Sequence, residues 1–302
     1  MLSRRHLLAS SFAAPLLRAG TNKVRLGGPI YLKSDDPREL AREHRRLGYS
    51  AAYCPNADVK DTAKVKAIAD EFAAENVIIA EVGAWKNIQD PDPAARKANM
   101  QYVTERLALA EAVGARCCVD ITGSYSTKAW YGPHPGNLSQ KFFDETVANA
   151  RTIIDAVKPT RTKFAFEMMG WNLPDSADAY LKLLKAIDRK AFAVHVDVCN
   201  VINSPQRFYD NAAVTREIFS KLGRWIVSCH AKDLEFVPEM NVHFVEVIPG
   251  KGEVDYKAYL TAIANLPVET PLMLEHLKNA AEYDQGAAYI RKVAGEAGVT
   301  FA

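Results

Sequence analysis

Eight short apolar runs, separated by stretches of helical period, constrain this chain more than any other feature. They are Arg25–Leu32, Tyr49–Pro55, Val77–Trp85, Ala115–Gly123, Lys163–Met169, Phe192–Val198, Ile226–Asp233 and Pro271–Leu277. Most are dominated by β-branched, aromatic and small residues, as expected of strands buried on both faces. Between them, Pro37–Leu47 begins behind the capping cluster Ser34-Asp35-Asp36, with Pro near the first helical position. Pro93–Val113 is ended by Gly114, and Ser139–Val157 closes before Lys158-Pro159. Repeated βα alternation demands right-handed parallel crossovers. Eight such units are the number that closes a barrel, so the expected fold is α/β, a single (β/α)8 barrel. Gly27-Gly28 lie inside the first run rather than after it, so a dinucleotide-binding sheet has no support. The connections Ser124–Leu138 and Leu234–Gly252 exceed what a barrel needs and read as lids or surface decoration.

The 302 residues are 48% hydrophobic and 25% charged, which excludes a disordered, collagen-like or polytopic membrane chain. A formal net charge of +2 is too balanced for a broad nucleic-acid-binding surface. That charge is unevenly placed. Residues 1–20 hold Arg4, Arg5 and Arg18 and no acid, leaving 35 basic against 36 acidic side chains in the body. This segment has a charged start, an apolar run from Leu7 to Leu17 and a small-residue end at Ala19-Gly20, the three-part form of a secretory signal. Its apolar run rises only about 16 Å as a helix, so stable membrane insertion is not expected. Ser3-Arg4-Arg5-His6-Leu7-Leu8 resembles the twin-arginine export motif. Residues 1–20 are therefore expected to be an export signal with a periplasmic destination, or cytoplasmic if the leader goes unused. Residues 21–302 are expected to form one catalytic domain, free or as a homo-oligomer. Cys54, Cys117, Cys118, Cys199 and Cys229 include no CxxC pair and read as buried free thiols.

In an α/β barrel, reactive groups stand at the C-terminal ends of the strands. Here the last four runs read Phe-Ala-Phe-Glu167, Val-His195-Val-Asp197, Val-Ser-Cys-His230 and Leu-Met-Leu-Glu275. Each delivers one acidic or imidazole group at the end of an apolar run, at separations of 30, 33 and 45 residues. Three carboxylates converging on one mouth would lose ionisation unless a cation neutralised them. Three oxygen donors and an imidazole suit one octahedral divalent ion, Mn²⁺ foremost, with Mg²⁺, Co²⁺ or Zn²⁺ as alternatives.

The runs FAFE, VHVDVCN, SCHAKD and MLEH, with PGKGEVDY after the seventh strand, resemble the xylose-isomerase-like TIM barrel superfamily. Within it they look like the sugar-phosphate isomerase/epimerase group, which includes the ketose 3-epimerases. The resemblance implies one metal held by Glu167, Asp197, His230 and Glu275, with Glu167 and Glu275 doubling as the acid/base pair on opposite faces of a sugar. Two positions depart from those epimerases: Asn200 stands where they have a His, and Gly250-Lys251-Gly252 replaces Gly-Glu-Gly. An amide cannot titrate near neutrality, so Asn200 carries no proton. The related apurinic endonucleases hold three zinc ions with further His ligands. The ends of the second and third runs, Tyr53-Cys54-Pro55 and Ala84-Trp85, have none, so a nucleic-acid substrate is not expected.

The implied chemistry is proton abstraction beside a metal-polarised carbonyl, passing through an ene-diolate to epimerisation or isomerisation of an unphosphorylated sugar or keto-sugar. Elimination from a 3-keto-glycoside shares the first step and makes a lyase the rival reading. A non-catalytic metal- and sugar-binding barrel is the third. Trp85 and Trp130, just after strands three and four, are candidates to stack on the sugar, with Trp171 weaker. Lys232 should share a face with His230 and reach substrate, unless it pairs with Asp233. Asn200 is a further substrate-binding candidate. His195 reads as a core histidine or a partner of the ligand layer, His134 as loop, and Arg207 as a helix-start side chain.

Overall fold

A computed structural model describes residues 22–302; the leader at residues 1–20 lies outside the described residues. Eight parallel strands close a barrel: β1 (Arg25–Gly27), β2 (Ala51–Tyr53), β3 (Ile78–Gly83), β4 (Cys117–Asp120), β5 (Lys163–Glu167), β6 (Phe192–Val196), β7 (Ile226–Ala231) and β10 (Pro271–Leu274). β10 pairs with both β1 and β7, which seals the cylinder. Every apolar run contains one of these strands, but the strands are shorter than the runs. β1 stops at Gly27 and β2 at Tyr53, and the remaining apolar residues carry the chain over the barrel mouth.

Helices α1 (Pro37–Arg46), α2 (Thr62–Ala74), α3 (Pro93–Val113), α4 (Gln140–Val157), α5 (Ala177–Ile187), α6 (Pro205–Tyr209) and α7 (Asn211–Leu222) connect the strands on the outside. The side chains of Asp36, Asp92 and Ser139 accept from the first backbone N–H groups of α1, α3 and α4, each cap contributing about 1 kcal/mol. The main core lies between barrel and helices, with Leu107, Ile153, Tyr180, Leu183 and Ile290 fully buried. A second, small apolar cluster of Ala51, Ala80 and Met273 plugs the barrel interior.

The segment expected to be a loop after the seventh strand holds an antiparallel hairpin, β8 (Asp233–Phe236) paired with β9 (Phe244–Val247). Two further helices, α8 (Tyr256–Ala264) and α9 (Ala280–Ala297), complete the ring. Asp233 does not pair with Lys232. Its carboxylate accepts from the backbone N–H groups of Leu234, Gly250, Gly252 and Val254 at 2.8–3.1 Å, wrapping Pro249-Gly250-Lys251-Gly252 around itself. A Cβ at Gly252 would lie 2.3 Å from the Leu234 carbonyl oxygen, so the wrap admits only glycine there. The other long connection is pinned by buried Asn137, which donates to the carbonyls of Gly132 and Trp171, both at 3.1 Å. All five cysteines are free, Cys54 half-buried and the others buried. Among the described residues, no helix is long and apolar enough to cross a membrane.

Candidate active site

β5, β6, β7 and β10 run side by side in the barrel, so residues at their C-terminal ends meet at one mouth. Glu167 ends β5, Asp197 follows β6, His230 lies in β7 and Glu275 follows β10. One ligand atom from each comes within 4.8 Å of all the others. His230 Nδ1 is 3.1 Å from Glu167 Oε1, 2.9 Å from Glu275 Oε1 and 3.8 Å from Asp197 Oδ2. The group converges as the strand-end register anticipates.

The charges are strongly coupled. Burial pushes the Glu167 carboxyl above its usual range, an effect that His230 and Lys232 only partly offset. Burial acts the same way on Asp197 and Glu275, but there Lys232 and His230 prevail: Asp197 is held far below its usual range and Glu275 at about 2. Burial disfavours a charged His230 ring, yet Glu275, Glu81 and Glu167 raise it well above an ordinary histidine. The protein's own countercharges to these carboxylates are the His230 ring and one ammonium.

Lys232 is that ammonium. It is almost fully buried, with Nζ 2.8 Å from Asp197 Oδ2, 2.6 Å from Glu275 Oε1 and 3.4 Å from Glu246 Oε1. These approaches are ion pairs without hydrogen-bond alignment, so Asp197 Oδ2 and Glu275 Oε1 remain buried oxygens without a hydrogen-bond partner. Two such oxygens, a third carboxylate and an imidazole within a few ångströms fit a hard divalent cation. An octahedral ion with bonds of about 2.1 Å sets opposite ligands about 4.2 Å apart, within the observed spread.

The other sequence candidates divide. Asn200 donates through Nδ2 to Glu167 Oε1 and to the Met168 carbonyl, both at 3.0 Å, which leaves its Oδ1 towards Lys232 at 3.5 Å. Trp85 and Trp130, each 36% exposed, line a cavity of about 710 Å³ whose floor is Glu167, Lys232 and Glu275. Trp85 is held at φ 44°. Its indole lies where a Cβ at Gly83 would be, 2.2 Å away, so the glycine makes room for it. Trp171 is 63% exposed and does not line the cavity. His134 stays in its loop, its Nδ1 accepting from the Gly136 N–H at 3.0 Å. Arg207 donates to the Val201 carbonyl at 2.8 Å. His195 is the partner of a residue that strand-end reasoning passed over: its Nε2 is 2.9 Å from Glu81 Oε1.

Glu81 lies in the middle of its apolar run, not at the end, which is why a survey of strand ends misses it. A charged residue isolated among Ile78, Ile79, Ala80 and Val82 was the available signal. Glu246 and His276 were missed as well. Glu246 sits on the hairpin strand β9 and accepts from His276 Nδ1 at 2.8 Å, placing both on the cavity wall.

A sequence profile of the xylose isomerase-like TIM barrel family matches residues 39–293. The chain belongs to that family. No curated protein sequence matches it. Among solved structures it resembles D-psicose 3-epimerase with D-tagatose from Clostridium cellulolyticum, at 12% identity and TM-score 0.66, covering 91% of this chain and 100% of that one. It also resembles the 3-keto-D-glucoside 4-epimerase YcjR from E. coli, at 12% identity and TM-score 0.62, covering 89% and 100%. Endonuclease IV from Thermus thermophilus is similar at 13% identity and TM-score 0.68, covering 90% and 99%. These likenesses share the barrel.

Proposed function

We propose that this protein is a divalent-metal-dependent isomerase or epimerase of an unphosphorylated sugar or keto-sugar. The observation that carries the reading is the convergence of Glu167, Asp197, His230 and Glu275, of which Glu167 and Glu275 line an aromatic-walled cavity. These four residues would hold the ion, Mn²⁺ by preference for their donor set, with Mg²⁺, Co²⁺ or Zn²⁺ as alternatives. A divalent ion held there supplies Lewis-acid polarisation of a sugar carbonyl and its neighbouring hydroxyl, acidifying the carbon-bound proton between them. One of Glu167 and Glu275 takes that proton from carbon, leaving the electron pair in an ene-diolate. The other returns a proton to the opposite face of the same carbon, giving the epimer, or to the next carbon, giving the isomer. Lys232 donates to a substrate oxygen and Asn200 offers its Oδ1 to a substrate hydroxyl, while Trp85 and Trp130 cover the sugar's C–H surface and exclude water.

Glu167→Gln and Glu275→Gln are each expected to lower turnover by at least about 100-fold while retaining some metal. Near-normal rates in both would sink the two-base scheme.

One feature favours a second reading. The cavity, about 710 Å³ and walled by Trp85, Trp130 and Tyr131, has the size and aromatic lining to take a glycoside as well as a free sugar. In a 3-keto-glycoside, loss of the C2 proton would push the electron pair onto C1 and expel the aglycone, which leaves with the bonding pair and takes up a proton. Incubating the Mn²⁺-loaded protein with free ketoses and with 3-keto-glycosides in D₂O separates the readings. Deuterium entering an interconverted sugar supports the epimerase. Aglycone release without interconversion replaces it with a lyase, and no exchange at all leaves only a binding barrel. Export through the Arg4-Arg5 leader remains a proposal from sequence, tested by whether Arg4→Lys with Arg5→Lys retains the protein in the cytoplasm.

A further inference from the structure

Glu81 is a fully buried carboxylate that does not line the cavity above the cluster, and its neighbours explain what it does. Its Oε1 accepts from His195 Nε2 at 2.9 Å and from Ser228 Oγ at 2.5 Å, and its Oε2 from His230 Nε2 at 3.2 Å. β3 is not adjacent to β6 or β7, so these bonds pass through the barrel interior. Two register slips accompany them. Between β2 and β3, Ala52 pairs with Ile79 but Tyr53 with Glu81, so Ala80 is an extra residue. Between β6 and β7, Val194 pairs with Ile226 but His195 with Ser228, so Val227 is extra. Such bulges re-aim side chains next to active sites.

An ionised carboxylate only accepts hydrogen bonds, so the His230 nitrogen facing Glu81 must carry a proton. In the neutral ring this leaves Nδ1 as a lone pair, aimed between Glu167 Oε1 and Glu275 Oε1 at 3.1 and 2.9 Å. Three acceptors cannot face one another bare, so either a second proton on Nδ1 or a cation in its place must sit among them. The His195 ring packs edge-on against that of His230, with centroids 4.2 Å apart, and its own Nδ1 is buried without a partner.

We infer that Glu81 is a positioning residue: it fixes the tautomer and orientation of His230 from inside the barrel so that Nδ1 faces the proposed metal site, and His195 and Ser228 in turn hold Glu81. The inference rests on the metal reading for its consequence but not for its geometry. Partners of this kind sustain metal affinity by about 10- to 100-fold.

The test has two readouts. In metal-free protein labelled with ¹⁵N-histidine, NMR of the wild type should show a proton on His230 Nε2, and a ring protonated on Nδ1 alone would overturn the inference. Calorimetric titration with Mn²⁺ should then show Glu81→Gln, checked as folded by circular dichroism, weakened at least tenfold. Ser228→Ala, which keeps the carboxylate on His230, should stay within about twofold. Equal losses in Glu81→Gln and Ser228→Ala, or affinity within twofold in Glu81→Gln, overturn it. If the wild type binds no Mn²⁺ but shows the Nε2 proton and loses it in Glu81→Gln, the metal reading falls and the anchoring of His230 stands.

Discussion

The Asn200 side chain is clamped to Glu167: one amide proton goes to the Glu167 carboxylate and the other to the Met168 carbonyl, each at 3.0 Å. A hydrogen bond to the charged form favours ionisation of a carboxyl that burial otherwise pushes up. Asn200→Leu should therefore raise the Glu167 pKa further. We expect the acid limb of the pH–rate profile to move to higher pH and turnover to fall about tenfold, the scale of losing a hydrogen bond to a charged group. An unmoved limb would separate Asn200 from Glu167 ionisation.

Asp197 offers a buried oxygen with no hydrogen-bond partner and contributes a carboxylate to the cluster. Mn²⁺ at 100 times its dissociation constant would stabilise the wild type by about 2.7 kcal/mol, a rise of about 5 °C in Tm for a chain of this size. Asp197→Asn should lose most of that rise, and EDTA should abolish wild-type activity reversibly. An equal rise in the variant would remove Asp197 from the ligand set.

Trp130 and Trp171 make a matched pair, since only Trp130 lines the cavity. Trp130→Ala should raise KM roughly fivefold with kcat little changed, about 1 kcal/mol of aromatic contact made equally in ground and transition states. Trp171→Ala should leave both constants alone. Steady-state kinetics on the same substrate decides the matter; identical effects would refute the cavity assignment.

Away from the site, Glu111 near the end of α3 ties the chain ahead of β5. It accepts from the N–H groups of Arg161 and Thr162, each at 3.0 Å, and from Thr160 Oγ1 at 2.8 Å. Burial acts to raise its pKa, but these bonds, that of Thr162 first, prevail and hold it at about 2. Because the folded pKa lies below the ordinary 4.5, this stabilisation is complete above that pH and is lost as pH falls towards about 2. Glu111→Gln should melt below the wild type at pH 7, and the gap should shrink by about pH 3. A gap independent of pH would contradict the linkage.

The amino-acid sequence by itself determined the barrel and the four-residue cluster at its mouth. Alternating apolar runs and helical periods are local signals, and residues at the C-terminal ends of parallel strands have only one mouth to share. Glu167, Asp197, His230 and Glu275 could therefore be placed together from strand-end position alone, and Lys232 on the same side as His230 from the two-residue period. Only the tertiary structure decided how that mouth is wired. Glu81 meets His195 and His230 because barrel closure carries β3 opposite β6 and β7 and a register slip attends its pairing with β2. Lys232 chooses Asp197 and Glu275 over Asp233 because Asp233 is consumed by four backbone N–H groups. Glu246 reaches His276 through a hairpin in a segment whose length suggested only a lid or surface decoration. Each of these depends on strand register and on contacts between residues far apart in the chain, and periodicity, which reports only on neighbours, carries no information about either.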